Sequence, residues 1–287
     1  LLAERFQCLD FFFTDNALPP AAAAALFGET GDQQRDLRFF GEIRPLKKPG
    51  DYSLYAAGGL QSVQVGIEAL SDSLLRRMNK GVSVMDNIAA MKYCTQAGIA
   101  LDGNLITEFP GSTEEEVAET LLNLDFILPY RPLQPAAFFL GYGSPVCSNP
   151  RQYGITSLLE HPYNRQLYPR EVLTRLTMLI KFGRGDRGHQ KVLWRPVRKK
   201  IRQWKEFHRS RRSRLPPLSY RLGGNFLIIR QERPEQQVLH HRLRGPSMQI
   251  YLACTEPVAM ADLLQRFPSV NARQMDRFLS DLQAKHL

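Results

Sequence analysis

Residues 66–81 read GIEALSDSLLRRMNKG, and this segment decides the fold class. The residues just before Gly66, SVQV, alternate in polarity and contain β-branched valines, a pattern typical of a strand. Within the segment, SDSLLRRM places apolar residues at helical spacing behind a serine that can cap a helix. The chain therefore passes from a strand into a helix here, with the carboxylate of Glu68 near the end of the strand.

The same alternation of strand and helix runs from residue 1 to about residue 145. Five segments read as strands: CLDFFFTDN, DLRFFGEIR, SVQVGIEA, LDGNLITEFPG and PAAFFLGYG. Residues 83–97 and 112–128 read as helices, and the second contains STEEE, a cap followed by acids where the helix dipole favours them. The alternation predicts an α/β fold of parallel βα units with right-handed crossovers, five of which are visible.

The size and the hydropathy of the chain limit the classes of protein to which it can belong. Its 287 residues can bury a sizeable core in one large or two modest domains. The longest apolar runs fall far short of the roughly 20 residues that a membrane-spanning helix needs. No charged, apolar and small-residue leader opens the chain. We therefore expect a cytoplasmic protein without a membrane partner.

The net charge of +10 is concentrated in one segment. Residues 181–214 contain 14 Lys and Arg but only two acids, Asp186 and Glu206. They overlap a stretch, residues 169–212, whose pattern predicts helices and in which Trp194 and Trp204 are expected to be core anchors. Its partners would be an acidic leader peptide or the phosphates of a nucleic acid, and the simpler alternative is a solvated helix face.

The organisation changes after residue 160. Residues 161–219 are predicted to form the basic helical segment and the linker LPPLS (215–219), because consecutive prolines resist both helix and sheet. Residues 220–287 begin with two strand-like runs, NFLIIRQ and QVLHHRL. Three helical runs follow: QIYLACT, ADLLQRF and ARQMDRFLSDLQAK. This order predicts a small winged-helix-like α+β module.

Polar residues follow each predicted strand of the first part. They are Asp15 and Asn16, Glu42 and Arg44, Glu68 and Ser71, Thr107 and Glu108, and Ser144. Ligand-binding groups collect at the carboxyl ends of parallel strands. Carboxylates and one arginine at a shared mouth suit a ligand that bears both an ammonium group and a carboxylate. The alternative for each acid alone is that it caps the following helix or pairs with a neighbour.

Five segments in this order resemble the radical S-adenosylmethionine (SAM) superfamily. Residues 66–81 and LDGNLITEFPGSTEEE (101–116) resemble its fourth and fifth βα units. FTDNALP (13–19) resembles the end of its second strand, FFGEIR (39–44) its third strand, and GYGSPVCSNPRQYGI (141–155) its sixth strand with the exit. The chain is most similar to the cobalamin-associated members, in particular those that mature ribosomally synthesised peptides (RiPPs). The resemblance covers roughly residues 6–160.

The resemblance implies a partial TIM-like (βα) barrel at residues 1–160, from the second to the sixth unit, with SAM bound at its mouth. It places Asp15 at the amino group of SAM, Arg44 and Ser71 at the methionine moiety, and Glu68 near the ribose. The strand around residues 106–109 would flank the adenine. The predicted SAM-binding residues are Asp15, Glu42, Arg44, Glu68, Ser71, Thr107, Glu108 and Ser144. The resemblance identifies no catalytic residue.

The sequence departs from the family at its cysteines. The family carries a CxxxCxxC loop whose thiolates hold a four-iron cluster, and this motif is absent here. Cys8, Cys94, Cys147 and Cys254 are scattered, which is typical of packed thiols and predicts no metal site in this chain. We therefore expect a C-terminal portion of a longer enzyme, inactive alone. The iron–sulfur ligands and a cobalamin-binding domain would lie outside it.

The C-terminal residues 220–287 indicate a peptide partner. Peptide-maturing enzymes often carry a winged-helix module that captures a leader peptide by β-augmentation, and residues 220–287 have the corresponding order of elements. The simpler alternative is a small domain that only packs against the barrel. The sequence thus predicts part of a radical SAM enzyme that modifies a precursor peptide, by methylation or by another radical reaction. The alternative from a different class is a nucleic-acid-binding protein that uses the basic segment and the winged helix.

Overall fold

A parallel sheet covered by helices forms the first part of the computed structural model, which describes residues 2–33 and 36–287. Its strands are β1 (Asp10–Phe12), β2 (Arg38–Ile43), β3 (Leu60–Val65), β4 (Ala100–Asp102), β5 (Asn104–Thr107) and β6 (Gln134–Ala137). Its helices are α1 (Leu2–Phe6), α2 (Pro20–Asp32), α3 (Pro49–Ala57), α4 (Asp72–Arg77), α5 (Val84–Ala97) and α6 (Glu114–Phe126).

The strands make an open half-barrel. β1, β2, β3 and β4 are neighbours in that order and all parallel, and β5 pairs in parallel with β6. Glu68 continues β3 and bridges Leu105 of β5. β4 and β5 are therefore two halves of one strand, interrupted at Gly103, where a Cβ atom would come within 2.9 Å of the Leu133 side chain. The predicted α/β fold with a partial TIM-like barrel is confirmed.

The first strand of this sheet has a free side. Among the described residues, β1 pairs only with β2. Phe12 on β1 is 73% exposed, although its ring lies 5.5 Å from that of Phe40. The outer edge of β1 thus presents backbone groups and an aromatic ring to solvent.

Local sequence explains where the two best-defined helices begin. Ser83 accepts a hydrogen bond from Asp86 N while the Asp86 side chain accepts one from Ser83 N, a capping box at the start of α5. Thr113 and Glu116 form the same box at the start of α6. Gly98 ends α5 in the left-handed region at φ 75°. The helices predicted at residues 83–97 and 112–128 are confirmed.

Alternation along the strands separates the core from an open polar face. The buried residues that pack against the helices include Phe39, Ile43, Val63, Val65, Leu101 and Leu105. The alternate positions place Glu42, Gln64 and Asp102 side by side in register across β2, β3 and β4. This row is partly exposed. The concave face of the half-barrel is therefore polar and accessible.

A second, antiparallel sheet follows the half-barrel. Its region contains β7 (Leu140–Gly141), α7 (Pro145–Ser148), a 3-10 turn (Pro150–Tyr153), β8 (Ser157–Glu160), α8 (Pro162–Leu167), α9 (Arg170–Arg175), β9 (Ile180–Arg184), α10 (Arg187–Leu193) and α11 (Arg195–Ser210). The strand order is β7-β9-β8. The helical pattern predicted for residues 169–212 is thus wrong at β9, because long-range pairing with β7 and β8 overrides the local pattern.

Helix α11 packs along the half-barrel. It buries Val197, Ile201, Trp204 and Phe207. The indole nitrogen of Trp204 donates hydrogen bonds to the carbonyl oxygens of Leu128 and Tyr130, each at 3.1 Å. Trp194 is also buried, so both tryptophans are the core anchors that the sequence predicts.

The C-terminal part is a three-stranded meander followed by three helices. The elements are β10 (Leu218–Leu222), β11 (Phe226–Gln231), β12 (Leu239–Arg244), α12 (Gly245–Ala253), α13 (Met260–Arg266) and α14 (Ala272–Ala284). β10 begins inside the predicted linker 215–219, because Leu218 and Ser219 pair with the end of β11. Ile250, Leu263 and Met275 form a small core of their own. The described parts of the chain contain no helix with the length and hydropathy of a membrane span.

Candidate functional site

Glu68 and Glu108 occupy the ends of two adjacent strands with the same unusual backbone. Their φ angles are 60° and 64°, in the left-handed region that side chains other than glycine disfavour. Two hydrogen bonds hold Glu68 there: its N–H donates to Asn104 O at 3.0 Å, and Ile106 N donates to its carbonyl oxygen at 2.8 Å. Such strain, of order 1–3 kcal/mol per residue, clusters at ligand-binding sites.

Each of these carboxylates is balanced by a cation from another segment. Lys80 Nζ lies 3.0 Å from Glu68 Oε1, and Arg198 Nη1 lies 2.5 Å from Glu108 Oε1. Lys80 belongs to the loop between α4 and α5, and Arg198 belongs to α11. The Glu108 side chain is only 12% exposed. The mouth therefore carries two oriented carboxylates that can also accept hydrogen bonds from a cationic ligand.

Arg77 holds the loop that follows Glu108. Its guanidinium donates to the carbonyl oxygens of Pro110 at 2.8 Å and Gly111 at 3.0 Å. It also pairs with Glu116 at 2.9 Å and lies over the Phe109 ring. Gly111 has φ +67°, and a Cβ atom there would come within 3.1 Å of Arg77 Nη2. A side chain at this position would be strained by the positive φ and would push the guanidinium away by a few tenths of an ångström.

The basic segment holds the same loop from its other side. Gly111 N donates to Asp186 Oδ2 at 3.0 Å, and Gln190 Nε2 donates to Ser112 O at 3.1 Å. Gln190 also donates to Asp186, which orients both side chains. The shape of this loop thus depends on α10 as well as on α4.

Three predicted residues lie with unengaged side chains on the first two strand ends. Asp15 follows β1 and is exposed, Glu42 lies on the concave face of β2, and Arg44 follows β2 and is exposed. None of the three side chains has a hydrogen-bond or ion-pair partner within residues 2–33 and 36–287. They are available to a ligand at the mouth.

The three predicted hydroxyl residues serve the fold in this structure. Ser71 is buried and accepts from Leu74 N at 3.4 Å as the cap of α4. Thr107 is buried on the helix-facing side of β5 and donates to Ala136 O at 3.4 Å. Ser144 caps α7, accepting from Cys147 N at 3.2 Å. Contact of these hydroxyls with a ligand stays a prediction.

Sequence reasoning missed four side chains of this region. Alternation within SVQV contained the signal for Gln64, which lies beside Glu42 on the concave face. Lys80 and Arg77 lie within residues 66–81, but nothing in the local sequence pairs them with Glu68 and Glu116. Arg198 is distant in sequence from Glu108, so only the fold reveals this ion pair.

The described residues fit SAM better than they fit an iron–sulfur cluster. Carboxylates and Arg44 match the ammonium, ribose and carboxylate groups of SAM. Burial raises the pKa of the Cys94 thiol to about 12, which disfavours the thiolate that iron needs. Across residues 2–33 and 36–287, no three His, Cys, Asp or Glu side chains are grouped as metal ligands.

Comparison with known proteins bears on the fold. No family model matches the chain. An uncharacterized methyltransferase from Pyrococcus horikoshii is 36% identical over 64 residues, which are 22% of this chain and 14% of that protein. The cobalamin- and [4Fe-4S]-bound structure of TsrM, a radical SAM methyltransferase from Kitasatospora setae, gives a TM-score of 0.50 at 19% identity, covering 71% of this chain and 44% of TsrM. The TsrM structure with tryptophan and aza-SAM bound gives 0.51 at the same identity and coverage.

Over 71% of its length the chain has the fold of the radical SAM methyltransferase TsrM. It spans less than half of the length of TsrM and about a seventh of the methyltransferase. The identity with TsrM is low, so the likeness extends to the fold alone.

Proposed function

We propose that this chain is the SAM-binding part of a radical SAM enzyme that modifies a ribosomally synthesised peptide. The observation that carries the proposal is the pair of adjacent strand ends at which Glu68 and Glu108 hold carboxylates on left-handed backbone. Left-handed backbone costs a residue with a side chain about 1–3 kcal/mol, so the presence of glutamate at both strand ends supports a role for the two carboxylates. The radical SAM fold supports SAM as that ligand.

Different residues of the mouth would bind different groups of SAM. Asp15 accepts a hydrogen bond from its ammonium group, Glu68 accepts from the ribose hydroxyls, and Arg44 binds its carboxylate. Arg77 fixes the loop beside Glu108 and so shapes the wall for the adenine. In this superfamily, SAM supplies the radical that abstracts hydrogen from the substrate.

Methyl transfer to the peptide, with cobalamin, is the reaction we propose. The match with an uncharacterized methyltransferase and the likeness to TsrM, whose structure contains cobalamin, support it. The cluster and cobalamin would be held by residues outside this chain, since Cys8, Cys94, Cys147 and Cys254 are not grouped as metal ligands in the described residues.

Strand β12 is where we propose that the leader of the precursor binds. Within the described residues it pairs only with β11, so its outer edge keeps free backbone donors and acceptors. Its exposed side chains include His240, Arg242 and Arg244. An extended acidic segment would gain main-chain hydrogen bonds and charge complementarity there. We also propose that residues 220–287 form a winged-helix-like module that presents this edge to the leader.

Calorimetric titration of the chain with SAM tests the proposed function. A hydrogen bond to a charged group contributes about 1.5–3 kcal/mol, so Glu68→Gln should raise the Kd about tenfold or more. Glu114→Gln, which removes an exposed acid in the first turn of α6, is the matched control and should leave the Kd unchanged. Equal affinities of the two variants would refute the assignment of Glu68.

A further inference from the structure

The backbone around Glu68 forms a strained turn at the mouth of the half-barrel. Ala69 N donates a hydrogen bond to Ile67 O at 2.7 Å, which closes a three-residue γ-turn with Glu68 at its centre. The φ of Glu68 is 60°, and a positive φ at this position marks the rare and strained form of the turn. Such a conformation persists only where the surrounding structure over-determines it. The bonds of Glu68 to β5 hold the turn from one side, so the contacts on its other side decide whether it persists.

Asn87 of α5 supplies the contacts on the other side of the turn. Its Nδ2 donates hydrogen bonds to Ile67 O at 2.8 Å and to Ala69 O at 3.0 Å. These are the carbonyl oxygens on either side of Glu68, and they use both N–H donors of the amide. The Asn87 side chain is fully buried. One point of α5 therefore holds the chain both before and after Glu68.

The oxygen of the Asn87 amide has no such contact. Oδ1 is buried, and no donor among the described residues reaches it. The reversed amide would set this oxygen against two carbonyl oxygens, so the turn fixes the orientation of the side chain. An unpaired buried acceptor lowers the stability of the fold. The polar contribution of Asn87 is therefore confined to the two bonds that it donates to the turn.

A second asparagine makes the same kind of bond outside this turn. Asn123 Nδ2, on α6, donates to Leu70 O at 3.0 Å. Leu70 follows the turn, so this bond does not constrain the backbone of Glu68 directly. The two asparagines thus form a matched pair of side chains, of which only Asn87 binds both sides of Glu68.

We propose that Asn87 is a positioning residue of the SAM site, which fixes the backbone from which the Glu68 carboxylate reaches the ligand. This inference rests on the proposed function. Lys80 also contacts Glu68, at 3.0 Å, but it binds the carboxylate itself and leaves the backbone unconstrained. Hydrogen bonds weaken steeply with distance and angle, so a turn that relaxes would carry the carboxylate out of the range of the ligand.

Calorimetric titration with SAM tests the role of Asn87. Asn87→Ala removes both donors and should raise the Kd about tenfold, the equivalent of two neutral hydrogen bonds. Asn123→Ala, the matched control, should leave the Kd within about twofold. In the Glu68→Ala background no carboxylate remains to be positioned, so Asn87→Ala should then change the Kd by less than about twofold. An unchanged Kd in the single variant, or an equal loss in both backgrounds, would overturn the proposal.

The titration also separates misfolding from loss of position. A misfolded fraction lowers the measured stoichiometry, whereas a displaced carboxylate lowers the affinity of every molecule. Asn87→Ser keeps one donor, so it is the variant to use where Asn87→Ala does not fold. Its Kd should lie between that of the unaltered chain and that expected for Asn87→Ala.

Hydrogen exchange of single amides, measured by NMR without SAM, distinguishes this proposal from the proposed function. Ala69 N–H closes the turn, and Ile106 N–H donates to the carbonyl oxygen of Glu68. Both amides should exchange about tenfold faster in Asn87→Ala than in the unaltered chain, and at the unaltered rate in Asn123→Ala. Faster exchange in a chain that does not bind SAM would reject the proposed function but support the hold of Asn87 on the turn. Unchanged exchange in Asn87→Ala would overturn the inference.

Discussion

Replacement of Arg77 by methionine is the sharpest test of how the mouth is built. The change keeps an unbranched apolar stem but removes the guanidinium that binds Glu116, Pro110 O and Gly111 O. Glu116 is only 4% exposed, whereas Arg77 is 27% exposed. Removing one partner of a buried ion pair costs about 3–5 kcal/mol. Glu116 keeps the hydrogen bonds donated by Ser73 Oγ and Thr113 N, so we expect the free energy of unfolding to fall by about 3 kcal/mol, the lower end of this range.

Urea unfolding followed by circular dichroism measures this loss. The control Arg77→Met/Glu116→Gln removes the uncompensated charge as well, and should regain a part of the lost stability. Arg77→Lys keeps the charge but cannot bind two carbonyl oxygens and a carboxylate in one plane. Its stability should therefore lie between that of the unaltered chain and that of Arg77→Met. A loss below about 1 kcal/mol in Arg77→Met, with no recovery in the double variant, would refute the account of the network.

Three other predictions address the loop, the acid response and the cysteines. Gly111→Ala should destabilise the chain by more than Gly143→Ala, because both positions have positive φ but only the first would place a Cβ atom near Arg77. The positive φ alone should lower the free energy of unfolding of each variant by about 1–2 kcal/mol. Thermal unfolding of the two variants measures the difference. Burial lowers the pKa of His208 from 6.5, so its contribution to stability is complete above about pH 6.5 and falls as the pH drops through the lowered value. His208→Gln should therefore flatten the stability profile between about pH 5 and 7, and an unchanged slope would contradict this. Anaerobic reconstitution with iron and sulfide, then dithionite and SAM, should give no 5′-deoxyadenosine, and multiple-turnover product would show that Cys8, Cys94, Cys147 and Cys254 can gather as ligands.

Elements specified by neighbouring residues were predictable from the sequence. The strand before Gly66 and the cap within STEEE, which is Thr113, depend on local chemistry, and both appear in the structure. β9 was missed because its partners, β7 and β8, decide its conformation. A strand whose stability comes from long-range pairing has no sufficient signal in its own residues.

The candidate site was predictable only in outline. Strand ends indicated Glu68 and Glu108, but their left-handed backbone and their cations come from contacts made after the chain folds. Ser71 and Thr107 show that a polar residue after a strand can also cap a helix or face the core, and their contact with a ligand stays a prediction. Position along the sequence does not distinguish these roles, whereas the direction of the side chain does.

The free edge of β1 has a practical consequence for handling the purified chain. Its unpaired backbone and the exposed ring of Phe12 form a template onto which the same edge of a second molecule can add. Concentrated samples should therefore form edge-to-edge assemblies whose growth rises with protein concentration and with temperature. Phe12→Lys introduces a charge that two abutting edges would have to bury, and light scattering of the two proteins at equal concentration should show the difference. The short strand β1 is thus one determinant of the solubility of this chain.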